Sequence, residues 1–442
     1  MKRILSAIGP AIIVAAVVLG PGSILTSSKV GAQEGLAGIP IIVAASFLMM
    51  SMVILSTRLG AACEHSLCTE LAERLGRPFS VLIGVILFLL VAIFQSSNNL
   101  AVIGGLEPLF GEEPLSTPVR IAVLGGVNLT IVGFLYLLRN IYSSVENLMK
   151  LLIAVMVAAF LTNLVVVLTH DRGYEPVASG SPRDWLAILG LIGTTFSVGG
   201  AFYQAYLVRE KGWGIDDVRR GTIDSVLSIS ILGGITCIVL LTAWRVFHGN
   251  PDQPALKSVG DVALVLEPSF GPKARIIFAC GILAGAISSF LGNALIGGTV
   301  LSDSLGLGSR LENRWPLHLT FLALLSGFAV AAASLTQEGS TVHLITFAQA
   351  LTVVGLPAIA AALVYLGTRP DLRQKGHIPG LLIGLTTLGL IVSCGLATLT
   401  VNKVVAKITV PAVTSQEGTS HAESVEESEA LESVPDDAPQ DE

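Results

Sequence analysis

Apolar runs of about 20 residues, long enough to cross a bilayer as a helix, recur from Ile4 to Val401. Inside hydrocarbon every backbone N–H and C=O must find a partner within the protein, so spanning segments are helices or closed barrels. The runs are continuous rather than alternating in polarity, which selects helices. Eleven spans are expected, near 6–28, 38–58, 80–104, 118–139, 146–169, 184–208, 222–246, 274–300, 316–336, 341–366 and 377–401. The expected fold class is an all-α polytopic membrane protein. With only 13% charged residues and a mean hydropathy of +0.75, the chain falls outside the ordinary soluble classes. Met1-Lys2-Arg3 before an apolar run imitates a signal peptide. No small-residue cleavage site follows, so a retained first helix is expected.

The first run is interrupted. Leu19-Gly20-Pro21-Gly22-Ser23 puts a Gly-Pro-Gly triplet inside it; proline removes a backbone donor and glycine is the poorest ordinary helix former. A broken membrane helix is tolerated where the freed groups face protein or a water-filled cavity. In transporters such half-helix ends point at a bound solute or ion; a proline kink without a ligand is the alternative. The sixth run holds a second interruption, Gly193-Thr194-Thr195-Phe196-Ser197-Val198-Gly199-Gly200, with Gln204 following by one turn. Interruptions in the first and sixth of ten spans point to two five-span repeats of opposite topology, about 6–169 and 184–366, with an extra span at 377–401. Glycine pairs also serve simply to bring helices close together.

Basic residues concentrate at the N-terminus and in the loops after even-numbered spans, among them Lys2, Arg58, Arg74, Arg139, Arg209, Lys211, Arg310 and Lys375. The opposite loops hold fewer, chiefly Arg172, Arg183, Arg245, Lys257, Lys273 and Arg275. The positive-inside rule then puts the N-terminus in the cytoplasm of a multi-pass protein of the cell (inner) membrane, and an odd span count puts the C-terminus outside. The transporter body is expected over 1–401 and an acidic disordered tail over 402–442. From Thr414 to Glu442 that tail has ten acids and no Lys or Arg, which leaves 26 basic against 22 acidic residues elsewhere. The five cysteines lie mostly in or beside apolar runs and read as small buried residues, not as a disulfide framework.

Gly9-Pro10, Gly20-Pro21-Gly22-Ser23 and Gly31-Ala32-Gln33 resemble the first helix of the NRAMP divalent-metal transporters, whose Asp-Pro-Gly-Asn motif is followed at the same spacing by Gly-Ala-Gln. The likeness continues through Arg58-Leu59-Gly60, Gly193 to Val208, Gly281 to Gly298, and Ala348-Gln349 with Leu356-Pro357. It covers about 5–401 and implies a LeuT-like inverted 5+5 repeat with broken helices one and six.

The departures concern cargo. NRAMP proteins hold a largely dehydrated transition metal with the motif Asp and Asn and a Met on helix six; here those positions are Gly20, Ser23 and Ser197. The family's Pro-His becomes Val198-Gly199, a second His becomes Gln204, and the helix-three Asp and Glu tied to proton movement become Asn99 and Val102. A coordinating Gln on helix ten becomes Gly355. No thioether remains to favour Mn or Fe over Mg or Ca, and the groups of a proton relay are gone. The resemblance thus implies a site of hydroxyls, backbone carbonyls and waters at Gly20, Ser23, Thr194, Ser197 and Gly355, around breaks at Pro21, Gly22, Gly199 and Gly200. A roomy polar site suits hydrated Mg²⁺, which dehydrates reluctantly, as in the NRAMP-related magnesium transporters. Glu34, Glu146 and Asp224 are the nearest acids, each read as structural or interfacial.

Gln33, Asn98, Asn99 and Gln204 are candidates for a polar lining, with interhelical hydrogen bonding the alternative; Asn128 and Asn293 are open in the same way. Cys63-x-His65-x-x-Cys68 has metal-like residue types without a fourth ligand. Ser197 lacks the first glycine of a nucleophile elbow, and no phosphate-binding loop is visible. The chain is therefore expected to be no enzyme, to need no cofactor, and to have no ATPase or nucleic-acid partner; its partners are the bilayer and a divalent cation as cargo. The expected function is a secondary carrier of divalent cations, hydrated Mg²⁺ or a broad set, without proton coupling, by alternating access. The alternatives are a carrier of a neutral or organic solute on the same fold, and a non-transporting receptor or scaffold.

Overall fold

The computed structural model of the chain describes residues 9–110, 115–137, 140–169, 175, 185–250, 256, 272–336 and 340–409. The signal-like start at Met1-Lys2-Arg3, the basic positions Arg139, Arg172, Arg183 and Lys257, and the tail from 410 to 442 lie outside these residues.

Each expected span coincides with a helix or a broken pair. The first is α1 (Ala11–Val18) and α2 (Pro21–Glu34); α3 (Gly38–Ala62) is the second, and a short α4 (Leu67–Leu75) follows. Then come α5 (Arg77–Phe110), α6 (Thr117–Leu137) and α7 (Ile141–Thr169). The second half holds α8 (Trp185–Thr195), α9 (Val198–Glu210), α10 (Val218–Phe247), α11 (Pro272–Ser304), α12 (Arg314–Leu335), α13 (Ser340–Thr368), a short α14 (Pro370–Lys375) and α15 (Gly380–Thr409). Eight helical stretches among the described residues are long and apolar enough to cross a membrane. The first and sixth spans are each cut in two, and the tenth, α13, is a helix of 29 residues. The extra helix runs eight residues past its expected end at 401, so 402–409 are helical and the expected disordered tail does not begin at 402.

The half-helices α1 and α9 form the centre. Every residue from Ala11 to Val18 and from Val198 to Val208 is buried. α1 packs against α7, α9, α10 and α11, and α9 lies along α3. A short apolar helix in such a place needs its end groups satisfied by neighbours. Asp224 of α10 does this for α1, accepting from Gly9 N at 2.7 Å and Ala11 N at 2.9 Å. The α3–α9 crossing is close enough to require glycine: a Cβ at Gly60 would lie 2.7 Å from Ala205 O and 2.8 Å from its Cα.

Loops on one face of the bundle are tied together. Arg209 donates to Cys63 O (2.7 Å) and Glu64 O (3.0 Å), Leu311 N to Glu210 (2.8 Å), and Arg74 pairs with Asp371 (2.5 Å). Glu146 is enclosed by Lys150 (2.6 Å) and Lys211 (2.7 Å) on this face, which makes it a structural acid. Burial pushes the thiols of Cys63 and Cys68 up to about 12, with the Glu70 carboxylate adding to the effect on Cys63 and the Asp303 carboxylate to that on Cys68. The thiolate is the reactive form, so neither is expected to react with a maleimide at pH 7.5 in the folded protein. Labelling should appear only after denaturation, read by mass spectrometry; rapid native labelling of either would show the end of α3 and α4 to be open.

Candidate functional site

Both helix breaks exist, each displaced from the residues expected to make it. In the first, Leu19 (φ −74°, ψ 41°) and Gly20 (φ −81°, ψ 178°) leave the helix. Pro21 and Gly22 are helical and open α2, because a fixed φ and a missing N–H suit the first helical position. Gly20 O accepts from Ser23 N (3.0 Å) and Ile24 N (3.2 Å) to start the new turn. In the second, Phe196 and Ser197 are unwound, with Ser197 at φ −85°, ψ 88°. Gly199 and Gly200, expected to break the span, lie in the first turn of α9. Their role is packing: Cβ atoms there would lie 3.0 Å from Leu87 Cδ1 and 3.2 Å from Val14 Cγ1.

Between the breaks lies a cavity in which about 70 Å³ is open to water centres. One water needs ~10–15 Å³ of such space, so several fit. Gly20 and Ser23 line it from the first break, and Thr194, Ser197, Gly199 and Gly200 from the second. α5 supplies a carbon wall of Leu87, Leu90, Val91 and Phe94, and α13 adds Val353, Leu356 and Ile359. Asn293 and Ile296 close it from α11. The described lining residues include no carboxylate, histidine or thioether. Fixed partial charge comes from the backbone, since helix C-terminal ends carry free carbonyls and N-terminal ends free amides; here α1 and α8 end, and α2 and α9 begin, at the two breaks.

The hydroxyls differ in availability. Thr194 Oγ1 donates to Gly190 O (2.8 Å) and lies 3.2 Å from Thr26 Oγ1, which donates to Gly22 O (2.8 Å). That chain stitches α2 to α8 and occupies Thr194. Ser23 and Ser197 face the cavity and make no side-chain hydrogen bond among the described residues.

Several expected lining residues lie elsewhere. Gly355 is on α13 but turned to α5, where a Cβ would meet the Leu90 side chain. Gln33 is exposed near the end of α2. Asn98 and Asn99 belong to a buried amide network: Asn98 Nδ2 donates to Gln95 Oε1 (2.6 Å), Asn99 Nδ2 to Gln95 O (2.8 Å), Asn128 Nδ2 to Asn99 Oδ1 (2.7 Å), and Gln95 Nε2 to Phe290 O (2.7 Å), with Asn98 Oδ1 and Asn128 Oδ1 enclosed without a partner among the described residues. Gln204 donates to Thr57 Oγ1 (3.1 Å); seven residues beyond Ser197, it is about 10 Å further along the helix. Glu34, Glu146 and Asp224 are absent from the cavity lining. Near Cys63 and Cys68, the metal-like residue types reduce to His65, Glu70 and Glu73, and Glu70 is taken by Arg74 at 3.3 Å.

Two features have weak or no sequence signal. Asn293 is the one amide among the described lining residues. Asp303, an acid in the last turn of α11, is a buried hub: it accepts from Ser66 Oγ (2.5 Å), Thr69 Oγ1 (2.9 Å), Cys68 N (3.1 Å) and Tyr206 OH (2.7 Å). Tyr206 is on α9, so this hub pins the far end of that half-helix.

Among solved structures, a manganese transporter of Eremococcus coleocola matches with a TM-score of 0.75 at 18% identity, covering 97% of this chain and 93% of that one. Mhp1, a nucleobase-cation-symport-1 family transporter in a closed conformation, matches with a TM-score of 0.53 at 13% identity, covering 93% and 95%. The bundle is therefore the LeuT-like fold. Curated relatives named divalent metal cation transporter MntH include one from Acidiphilium cryptum, 23% identical over 401 residues and 88% of each chain. Another, from Deinococcus radiodurans, is 24% identical over 388 residues and 84% of each chain. The family described as natural resistance-associated macrophage protein-like matches residues 11–403. That interval begins at the first residue of α1 and closes inside α15, so all of the helical body but the end of its last helix is included: the chain belongs to the Nramp family, a family of transporters.

Proposed function

We propose that this chain is a secondary carrier of divalent cations that takes its cargo with much of the hydration shell in place, with Mg²⁺ the best-suited ion, and without moving protons. The observation that carries the reading is the cavity between the breaks: room for several waters, the hydroxyls of Ser23 and Ser197 without a side-chain hydrogen bond among the described residues, and described lining residues without carboxylate, thioether or imidazole. A bare divalent ion in such a place would be left with neutral ligands only, at a large desolvation cost. An ion that keeps several waters avoids that cost, and Mg²⁺ is the common divalent ion that does so. Absence of a titratable side chain among the described lining residues also argues against coupling cargo to protons at this cavity.

Burial of α1 and α9 along their length closes the cavity toward the face that carries Arg58, Arg74, Arg209, Lys211 and Arg310. The positive-inside rule assigns that face to the cytoplasm, with the N-terminus on the same side and the C-terminus opposite. Release inward then requires α1 and α9 to part from their neighbours. A neutral or organic solute is the second reading, favoured by the carbon walls from α5 and α13.

Uptake of Mg²⁺, Mn²⁺ and Ca²⁺ into proteoliposomes, with internal pH followed by a trapped dye, tests the proposal. Mg²⁺ flux with no acidification beyond protein-free vesicles is expected. Proton movement in step with metal overturns the uncoupled part, and no divalent flux at all overturns the cation reading in favour of the second.

A further inference from the structure

We propose that Asn293 of α11 presents the side-chain oxygen that receives the cation's water shell, that Ser289 positions it, and that this pair sets the preference for a hydrated hard cation. The inference rests on the cation reading given above. Its starting point is the one amide among the described lining residues. An amide has an acceptor end and a donor end. Here Nδ2 donates to Ser289 Oγ at 2.9 Å, one turn earlier on the same helix. With the donor end held, Oδ1 is the free end. It has no partner among the described residues and is not one of the fully enclosed unpaired atoms. Asn293 itself is half-buried in the cavity wall. Its oxygen is therefore the part open to a bound cation or to that cation's waters.

Ser289 is fixed in turn. It is fully buried, and its Oγ and Cβ occupy the space a side chain at position 20 would fill, with Cβ 2.7 Å from an ideal Cβ there. The preceding Ser288 Oγ donates to Ala16 O of α1 (2.8 Å) and to Gly285 O (3.0 Å). α11 is thus seated on the first break by two adjacent serines, one bonded to a carbonyl of α1 and the other packed on Gly20. A pre-set oxygen loses little entropy on binding. An amide oxygen is hard and neutral, it suits Mg²⁺ and its waters better than softer ions, and it cannot exchange a proton with solvent on each cycle.

The test uses the full-length protein in proteoliposomes with Mg²⁺ and Mn²⁺ as probes. Asn293→Ala is expected to raise KM for Mg²⁺ about tenfold, the value of one lost ~1.4 kcal/mol contact, with kcat little changed. Asn293→Asp, nearly isosteric, is expected to lower KM, to admit Mn²⁺ in competition with Mg²⁺, and to make uptake pH-dependent. Ser289→Ala should raise KM several-fold in the wild-type background and add nothing in the Asn293→Ala background, the mark of a residue acting through another. The inference is overturned if Asn293→Ala and Asn293→Asp both keep the wild-type KM and Mn²⁺/Mg²⁺ ratio while Ser23→Ala or Ser197→Ala raises KM; the cavity reading then survives alone. It is also overturned if Ser289→Ala is fully additive with Asn293→Ala. Absence of divalent flux in the wild type overturns the cation reading and this inference together.

Discussion

Asp303→Ala is expected to be the most destabilising single change in the described part of the bundle, costing on the order of 2–4 kcal/mol, since several hydrogen bonds are lost together and a buried donor left unsatisfied costs ~1–3 kcal/mol. The carboxylate is 2% exposed and accepts four hydrogen bonds, from Ser66, Cys68 and Thr69 at the start of α4 and from Tyr206 on α9. Hydrogen bonds to a charged acceptor contribute ~1.5–3 kcal/mol each. Removing the acceptor leaves the buried Tyr206 hydroxyl hydrogen without its partner and the Cys68 N–H with only its longer bond to the Tyr206 hydroxyl oxygen (3.3 Å). Serine and threonine hydroxyls can turn to other oxygens, so the full sum is not lost. Asp303→Asn keeps the volume but exchanges one accepting oxygen for an NH₂ donor, so hydroxyls that now donate must turn to accept, and it should recover only part of the loss. Tyr206→Phe removes one donor and leaves the acceptor satisfied by three others, so it should be much milder. The measurement is the yield of monodisperse protein and the midpoint of thermal unfolding in detergent. A wild-type midpoint for Asp303→Ala would show that the hub contributes nothing to holding α4, α9 and α11 together.

The order of these variants has a functional side. Tyr206 and Arg209 anchor the α9 end remote from the cavity, to Asp303 and to the carbonyls of Cys63 and Glu64. If cargo leaves by separation of α9 from α11 and α3, these bonds break in every cycle. Tyr206→Phe is then expected to raise the rate of inward release by a few-fold while sparing the fold, read as a higher kcat with unchanged KM in the same vesicle assay. An unchanged kcat would mean that this end of α9 stays in place during transport.

How much of this was legible in the residues differs from place to place. Hydropathy located the spans because lipid demands about 20 apolar residues and internal hydrogen bonding, whatever the tertiary contacts. The first break was legible because Gly20-Pro21-Gly22 is locally incompatible with an undisturbed helix. The second was placed two residues late. Gly199 and Gly200 look like helix breakers, yet close packing on Leu87 and Val14 accounts for them, while unwound Ser197 has no distinctive local signal. Orientation about a helix axis was the least accessible quantity. Gly355 sits on the expected helix but faces Leu90, and Gln204 follows the break along α9 but faces Thr57. Asn98, Asn99 and Asn128 could not be told from Asn293 in the linear chain; packing joins the first three in a buried network and leaves the fourth at the cavity. Asp303 was invisible for the same reason, since its donors come from stretches about 100 and 235 residues away.

Restoring the motif acid is expected to abolish transport rather than to change its selectivity. Gly20→Asp must place a Cβ where Ser289 already stands, with Ser289 Cβ only 2.7 Å away and its Oγ nearer still. Ser289 is fully buried, on a helix seated against α1 through Ser288, so it has no room to withdraw. Overpacking of this kind costs ~1–3 kcal/mol in a well-packed interior. At a hinge between half-helices that strain falls on the cavity itself. Gly20→Asp alone should therefore lower Mg²⁺ uptake at least tenfold and gain no Mn²⁺ uptake. Gly20→Asp with Ser289→Gly removes the collision, and is expected to recover divalent transport with Mn²⁺ now favoured by the carboxylate. Ser197→Met meets no such obstacle, because Ser197 already faces open volume. Its thioether should raise the Mn²⁺/Mg²⁺ uptake ratio, and the longer side chain should exclude part of the water a hydrated ion brings. The ratio measured for these variants decides the matter. If Gly20→Asp alone transports Mg²⁺ as well as the wild type, α11 is not the wall that keeps position 20 bare; if Ser197→Met leaves the ratio unmoved, cargo does not pass between the two breaks.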